Sequence, residues 1–419
     1  MRSKIIQLIK HPFISGSIIV MSGSLGANFI HFLFNIFLSR NLAVQDYGSV
    51  ASLMAIITLF GISSSAIAPT IVSFTSRSFQ ENDLENVRSV YFKIFNFFLL
   101  LSGIILVIFL AFSRMISVFL NISNGAILVE ITGITVFIGF MSMLNLSLFQ
   151  ARLSFRVFSS LNILSAIIKL FLGMVFIFYG FSTVGVMFAI LLSYVIPYLL
   201  GFGFIKFLFK RNVSNVRIKW KDIVVYAAPS GAALVGLTAI SSIDLLLVKH
   251  LFDANSAGVY AGLSLLGRVV FFFTAPITVV MFPLMSRKYD KKENYNKVLL
   301  FAILTVGVSS FGISLFYFLF PEFVIRLFLK NEVYLNAVPY LGMIGIFASL
   351  HSLNSAMMYY FLSIRKTWIY KPIVVAGLLQ ALGIYLFHDS LGLVIGISIL
   401  MTALLLIFLS FYAFFLTKK

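Results

Sequence analysis

The chain has 419 residues, 61% of them hydrophobic and only 11% charged, and it carries a formal net charge of +18. Soluble domains hold about 25% charged residues, so this composition excludes a soluble globular protein. The absence of cysteine excludes a disulfide framework and thiolate metal sites.

What remains is an integral membrane protein. A helix needs about 20 apolar residues to cross a bilayer. Twelve runs of that kind follow one another: 14–38, 47–73, 91–112, 127–150, 158–180, 183–209, 223–249, 257–284, 298–320, 337–362, 373–388 and 391–416. Strands of a membrane barrel would alternate over about ten residues instead, and no such alternation occurs. The first run follows Arg2, Lys4 and Lys10, as in a signal peptide, but its length and the runs behind it mark a retained first helix.

In the first crossing Ser17, Ser24, Asn28, His31 and Asn35 recur at helical spacing, which places them on one face. Glu130 lies near the outer end of the fourth crossing, with Asn145 and Gln150 further along it. Lys169 sits deep in the fifth, on a face shared with Asn162 and Ser165. The polar segment KRNVSNVRIKWKD, Lys210–Asp222, then interrupts the apolar pattern. It divides an N-terminal lobe of six helices (1–210) from a C-terminal lobe of six (223–419) through a basic linker (211–222). An even number of crossings per half makes any internal repeat a parallel one. A shift of 210 residues overlays 40–77 on 250–287, matching Gly48 with Gly258, Ala51 with Ala261, Leu53 with Leu263, Ile67 with Ile277, and Ser76-Arg77 with Ser286-Arg287.

The same shift carries Asn28 to Thr238 and His31 to Ser241, so the seventh crossing repeats the polar stripe and extends it to Asp244. Arg268 lies about eleven residues into the eighth crossing, roughly 16 Å deep, with Ser264 one turn before it. A central Arg or Lys costs about 2.5–3.5 kcal/mol on insertion scales, so each should meet a partner or water. Two readings stay open. Asp244 and Arg268 form a buried bridge that docks two helices, or they line a cationic cavity that receives an anion midway across the membrane. The serines serve either as interhelical hydrogen-bonding groups or as the wall of that cavity. His351, Asn354 and Ser355 in the tenth crossing read as a packing patch, and Pro69, Pro197, Pro229, Pro276 and Pro283 are candidate bending points.

Orientation follows from the cations. With the amino terminus inside, the outer segments hold only Arg40, Arg114, Lys249, Arg326 and Lys330, and nearly all other Lys and Arg residues fall on the inner side. The positive-inside rule therefore places both termini in the cytoplasm. Because these cations are sorted by membrane side, the basic excess reads as a topology determinant that meets anionic membrane lipid, not as a nucleic-acid surface. No GxxxxGK[ST] loop, HExxH helix or Gly-x-Ser-x-Gly elbow is present, and the outer segments are short. These absences argue for transport over catalysis, with no metal or cofactor and with H+ or Na+ as the coupling ion. Asp244, His31 and Glu130 are the candidates to sense it.

FLSRNLAVQDYGSVASL after the first helix, DLLLVKHLFDANSAGVYAGLSLLGRV across the seventh and eighth, and PLMSRKYD at the inner end of the eighth resemble the polysaccharide-transporter branch of the multidrug/oligosaccharidyl-lipid/polysaccharide (MOP) superfamily. Within it the chain is most similar to Wzx-type O-antigen or repeat-unit flippases. The resemblance implies an all-α, MATE-like protein of two six-helix lobes related by a parallel pseudo-twofold, alternating between inward- and outward-open states in the bacterial cytoplasmic (inner) membrane. It implies transfer of an undecaprenyl-diphosphate-linked oligosaccharide, an O-antigen or other surface-polysaccharide unit, to the periplasmic leaflet. A polysaccharide polymerase and a chain-length regulator are the partners of such a pathway. The family's cavity is cationic, which makes Arg268 the first candidate for the diphosphate and Lys169 the second, with His31, Asn28, Ser241 and Ser264 as further lining. Helices one, two, seven and eight face that cavity in the family, which favours Arg268 and His31 over Lys169. Two alternatives remain: a cation-coupled multidrug exporter of the same fold, which would call for acidic midplane residues, and a membrane polymerase or ligase of lipid-linked glycans, which would call for a large outer loop.

Overall fold

The computed structural model describes residues 12–65, 68–210 and 220–417. Within them every regular element is helical. The N-terminal half contributes α1 (Pro12–Asn41), α2 (Val44–Ser65), α3 (Ala68–Gln80), α4 (Leu84–Ala111), α5 (Ser113–Phe119), α6 (Ala126–Ala151), α7 (Phe155–Phe178) and α8 (Ser182–Ile205). The C-terminal half contributes α9 (Trp220–Ile240), α10 (Ile243–Leu251), α11 (Ala254–Asp290), α12 (Asn296–Leu319), α13 (Pro321–Phe328), α14 (Val338–Ser363), α15 (Tyr370–Leu386) and α16 (Leu391–Thr417). Eleven helical stretches are long and apolar enough to cross a membrane, and the bent pair α9–α10 makes a twelfth. The protein is a multi-pass membrane protein.

Helices dominate because hydrocarbon offers no partner for a free amide or carbonyl, so each backbone group must be satisfied within its own segment. Hydroxyl side chains follow the same constraint by bonding back to carbonyls of their own helix. Ser52 donates to Gly48 O at 2.9 Å, Thr132 to Leu128 O at 2.8 Å and Thr402 to Ser398 O at 2.7 Å. The outward faces are apolar, with Leu100, Val107, Phe301, Val308, Ile407 and Phe411 all exposed, as suits contact with lipid tails.

The chain forms two compact units. The first comprises Met1–Leu38, Ser63–Val118 and Ile122–Ala227; the second comprises Ser39–Ile62, Phe119–Asn121 and Ala228–Lys419. In the first unit α6 is the central helix, packed against α3, α4 and α8. In the second α14 takes the same place against α11, α12 and α16, and Leu353 and Ala356 on α14 meet Val306 on α12. Each half runs through the same series, including one short helix after the third crossing of the series (α5, α13). Left-handed turn residues recur at matching points, Asn82 (φ 56°) with Lys292 (φ 57°) and Leu153 (φ 59°) with Arg365 (φ 60°). The internal repeat is therefore a property of the backbone as well as of the sequence.

Three features depart from the sequence reading. The seventh crossing is not one helix: α9 and α10 meet at a 41° bend. At this break the amides of Ser241 and Ser242 bond three residues back, to Thr238 O and Ala239 O, and Ser241 Oγ also takes Thr238 O at 3.0 Å. A serine hydroxyl bonding back to a carbonyl of its own helix is a recognised cause of bending. The eighth crossing is longer than the run 257–284, a single helix of 37 residues that carries Pro276 and Pro283 inside it. Finally, the N-terminal segments 39–62 and 119–121 cluster with the second unit. The greater part of the linker (211–219) and the terminal cations Arg2, Lys4, Lys10, Lys418 and Lys419 lie outside the described residues.

The long helix α11 starts at a defined cap. Asp253 is extended (φ −62°, ψ 160°) and its carboxylate accepts the amides of Asn255 at 2.9 Å and Ser256 at 3.1 Å. Hydrogen bonds from Ser256 and then Asn255 hold the carboxyl below its ordinary value, so the cap contributes fully above the unfolded value of about 3.9 and is lost as pH falls through the lower folded value. Asp253→Ala should cost about 1 kcal/mol in thermal unfolding of the detergent-solubilised protein at neutral pH. The difference from wild type should shrink below about pH 4; equal melting temperatures at pH 7 would remove the cap from the account.

Candidate functional site

The second unit holds a buried polar cluster on α10 and α11. Asp244, in the first turn of α10, is 2% exposed. One of its carboxylate oxygens accepts the Tyr260 hydroxyl at 2.7 Å and the other the Leu245 amide at 2.8 Å. Tyr260 lies two turns before Arg268 on α11 and is fully buried. Arg268 is half-buried and close enough to act electrostatically on both Asp244 and Tyr47. It makes no ion pair with Asp244 and no hydrogen bond among the described residues, so the docking bridge between these two residues is not formed. The Asp244 carboxylate is instead held by Tyr260 and the Leu245 amide. Ser264, one turn before Arg268, is half-buried as well.

The same unit takes in a segment of the first half. Gly48 on α2 lies against Gly258 on α11, where a β-carbon on Gly48 would come within 2.9 Å of the Gly258 Cα, and a β-carbon on Gly258 would overlap the Val44 carbonyl. Only glycine at these two positions lets the backbones approach so closely. Three residues before each glycine, Gln45 Nε2 donates to Asn255 Oδ1 at 3.2 Å. These residues are spaced 210 apart, the interval of the repeat. Arg40 donates to the carbonyls of Leu327 and Phe328 at the C-terminal end of α13. Asn121 donates to His250 O at 2.7 Å and Lys249 O at 3.4 Å at the C-terminal end of α10. The His250 ring stacks on Phe119 at 3.9 Å, with Nδ1 2.6 Å from the Phe119 carbonyl. Donors placed on last-turn carbonyls satisfy groups the helix cannot, and the guanidinium also suits the negative end of the dipole.

The first unit holds a second cluster, on α1 and α7. Lys169 is 9% exposed and its ammonium lies over the Phe34 ring at 4.7 Å, a cation–π contact in a poorly hydrated place. His31 is within electrostatic reach of Lys169, and its buried Nδ1 has no hydrogen-bond partner among the described residues. Asn35 donates to His31 O at 2.8 Å. Asn28, on the same stripe, is exposed.

The remaining residues make contacts elsewhere, although Asn145 Nδ2 and Asn354 Oδ1 are buried without a hydrogen-bond partner among the described residues. Glu130 accepts Ser113 Oγ at 3.0 Å. Ser241 belongs to the α9–α10 break. Asn145 accepts the Tyr91 hydroxyl at 2.8 Å, and Asn354 bridges to Thr402 O at 2.8 Å. Among the described residues no three His, Asp or Glu side chains group as a metal site. Sequence reasoning missed two members. Tyr260 was visible only as part of the Ala257–Tyr260 motif, and Lys249, assigned to an outer segment, is 1% exposed and within electrostatic reach of Asp46.

Comparison with known proteins agrees with this architecture. The family model described as "Polysaccharide biosynthesis protein" matches residues 37–339. Similar solved structures include an inward-facing multidrug-resistance MATE family transporter of the MOP superfamily (TM-score 0.73, 16% identity, covering 94% of this chain and 96% of that one). The lipid II flippase MurJ in an inward closed conformation is similar too (TM-score 0.74, 14% identity, 96% and 88%), as is a MATE protein in the bent conformation (0.63, 15%, 97% and 96%). At these identities the likeness is one of fold. No curated protein matches the chain.

The hydrogen bond between Tyr260 and Asp244 should be measurable as a coupling energy. In a double-mutant cycle, Tyr260→Phe and Asp244→Asn should couple by about 1–3 kcal/mol in unfolding stability. The cycle of Asp244→Asn with Arg268→Gln should give a smaller value; the reverse order would restore the Asp244–Arg268 bridge as the principal contact.

Proposed function

The chain belongs to the polysaccharide biosynthesis protein family, and from that membership we propose that it is a flippase for a polyprenyl-diphosphate-linked oligosaccharide, moved from the cytoplasmic to the outer leaflet by alternating access. The observation that carries this reading is the state of Arg268. A guanidinium near the middle of a membrane helix, with its nearest carboxylate already bonded to Tyr260 and Leu245, keeps its donors for a ligand. A diphosphate suits it, since paired phosphate oxygens accept the planar fork in bidentate fashion. The lipid tail need not leave the hydrocarbon, so only the hydrated head requires a polar path.

Alternation also requires a seam that can open. The contacts of segments 39–62 and 119–121 with α10, α11 and α13 supply one. They consist of a glycine-to-glycine approach, hydrogen bonds from Gln45, Arg40 and Asn121, one stacked ring, and buried apolar side chains such as Val44, Tyr47, Val50 and Leu53. With the basic segments Arg287–Lys297 in the cytoplasm by the positive-inside rule, this seam lies at the outer side of the second unit. Of the residues that could couple an H+ or Na+ gradient, His31 is the best placed on this reading, because its Nδ1 is unbonded while Asp244 and Glu130 have partners. Surface-polysaccharide units such as O-antigen repeats fall within the substrate class.

Two measurements test the proposal. In vesicles reconstituted with a polyprenyl-diphosphate oligosaccharide, Arg268→Ala should slow flipping about 10- to 100-fold, the equivalent of losing a charge-assisted hydrogen bond, and Arg268→Lys should recover part of the rate. Unchanged flipping would take the diphosphate away from Arg268. Because the natural chain lacks cysteine, Gln45→Cys with Asn255→Cys forms an isolated pair. Oxidative cross-linking should lock the outer seam and stop transport, with recovery on reduction; full transport by the cross-linked protein would show that the seam does not open.

A further inference from the structure

The second unit contains a cavity of about 500 Å³ that the transport path does not account for. It forms where three connections of the C-terminal half come together at one end of the helices, away from Arg268. Phe252 lies in the link between α10 and α11, and Asn255 and Ser256 in the first turn of α11. Asn336 comes from the short 3-10 helix Glu332–Ala337, Tyr340 from the start of α14, and Asp389 from the link into α16.

The chemistry of this wall is specific. Asn336, Tyr340 and Asp389 have no hydrogen-bond partner among the described residues, and Asn255 uses only its Oδ1, toward Gln45. The cavity thus presents two amides, one carboxylate and a phenol with unused capacity, beside apolar ring faces. The Tyr340 ring rests against Gly392, where a β-carbon would come within 3.2 Å of it, and Phe252 packs edge-on to His388 at 6.4 Å. No cation lines the cavity, which disfavours a phosphate. The volume lies within the range of small-molecule sites, about 300–1,000 Å³.

We propose that this cavity binds the neutral sugar portion of the transported glycan on the outer side of the membrane, with Asn336, Asn255 and Asp389 bonding its hydroxyls and Tyr340 stacking on its C–H face. Amides and a carboxylate match vicinal hydroxyls, because they combine donors and acceptors at the spacing of neighbouring oxygens. An aromatic face covers the apolar side of a pyranose ring at small entropic cost. The cavity is also tied to the outer seam. When Gln45 withdraws from Asn255, Asn255 Oδ1 becomes available, so an emerging sugar gains a contact as the seam opens. A ligand that binds one state better shifts the equilibrium toward that state, which would favour release outward. The inference rests on the flippase reading for the identity of the glycan.

The test uses the full chain in lipid nanodiscs and the free oligosaccharide released by mild acid from the producing cell's own surface polysaccharide, without lipid or diphosphate. Saturation-transfer NMR should detect its binding to wild type and, equally, to Arg268→Ala. Asn336→Ala with Asp389→Asn, both exposed positions, should weaken binding at least fivefold, and Tyr340→Ala should remove the transfer to ring protons, with melting temperatures unchanged. Binding that survives all three substitutions would place the sugar elsewhere, and no binding to wild type would overturn the site outright. Because the ligand carries no diphosphate, either result leaves the Arg268 transport measurement to judge the flippase reading by itself.

Discussion

The exclusion of water from the hydrocarbon core is the constraint on which this structure depends. It forces the backbone into helices and sends most buried hydroxyls back to their own helix's carbonyls, as at Ser52, Thr132, Thr135 and Thr402. Groups that escape this accounting include buried atoms of Asn86, Asn145, Tyr334, His351 and Gln380 as well as two of the candidate site residues. Arg268 has donors and no acceptor, and His31 Nδ1 is buried without a bond. A polar group left unsatisfied at membrane depth is costly. The buried Asp244 does not belong to that class, because each of its carboxylate oxygens accepts a hydrogen bond, from Tyr260 and from the Leu245 amide.

Much of the architecture was legible in the sequence because hydrophobic length is a strong signal. The runs, the two halves and the repeat all recur in the backbone, down to the left-handed residues Asn82 and Lys292. What escaped was local or long-range. The bend after Ile240 coincides with the Ser241 hydroxyl and the amides of Ser241 and Ser242 bonding three residues back, which an apolar run of the right length conceals. The clustering of 39–62 with the second unit depends on contacts between residues some 210 positions apart, and the sequence marked them only as the matching glycines Gly48 and Gly258.

The candidate site was less legible than the fold. Spacing put Asn28, His31 and Asn35 on one face, yet a helical face does not say what it meets: Asn28 is exposed and Asn35 buried. Lys169 was the expected second cation for an anion, but its ammonium already lies over Phe34. The Asp244–Arg268 pairing failed for a similar reason. Opposite charges on neighbouring helices suggest a bridge, but a tyrosine two turns away on the same helix reached the carboxylate first. Charge can be counted from a sequence, whereas competition among partners is settled only in three dimensions.

That competition bears on how a transporter of this fold could cycle. If Asp244 and Arg268 were bonded to each other, an arriving anion would have to break a desolvated ion pair, and losing one partner of such a pair costs about 3–5 kcal/mol. Diverting Asp244 to Tyr260 removes that barrier while leaving a carboxylate nearby, whose charge moderates the field of the guanidinium. An unmoderated cation at the midplane would hold a diphosphate too tightly to release it, since a ligand advances the cycle only through the difference in its affinity for the two states. The seam at Gly48 and Gly258 is held by more than its hydrogen bonds. Exposed hydrogen bonds such as Gln45 to Asn255 contribute about 0.5–1.5 kcal/mol each, so they add modestly to the close backbone approach and the buried side chains Val44, Tyr47 and Val50 of that segment.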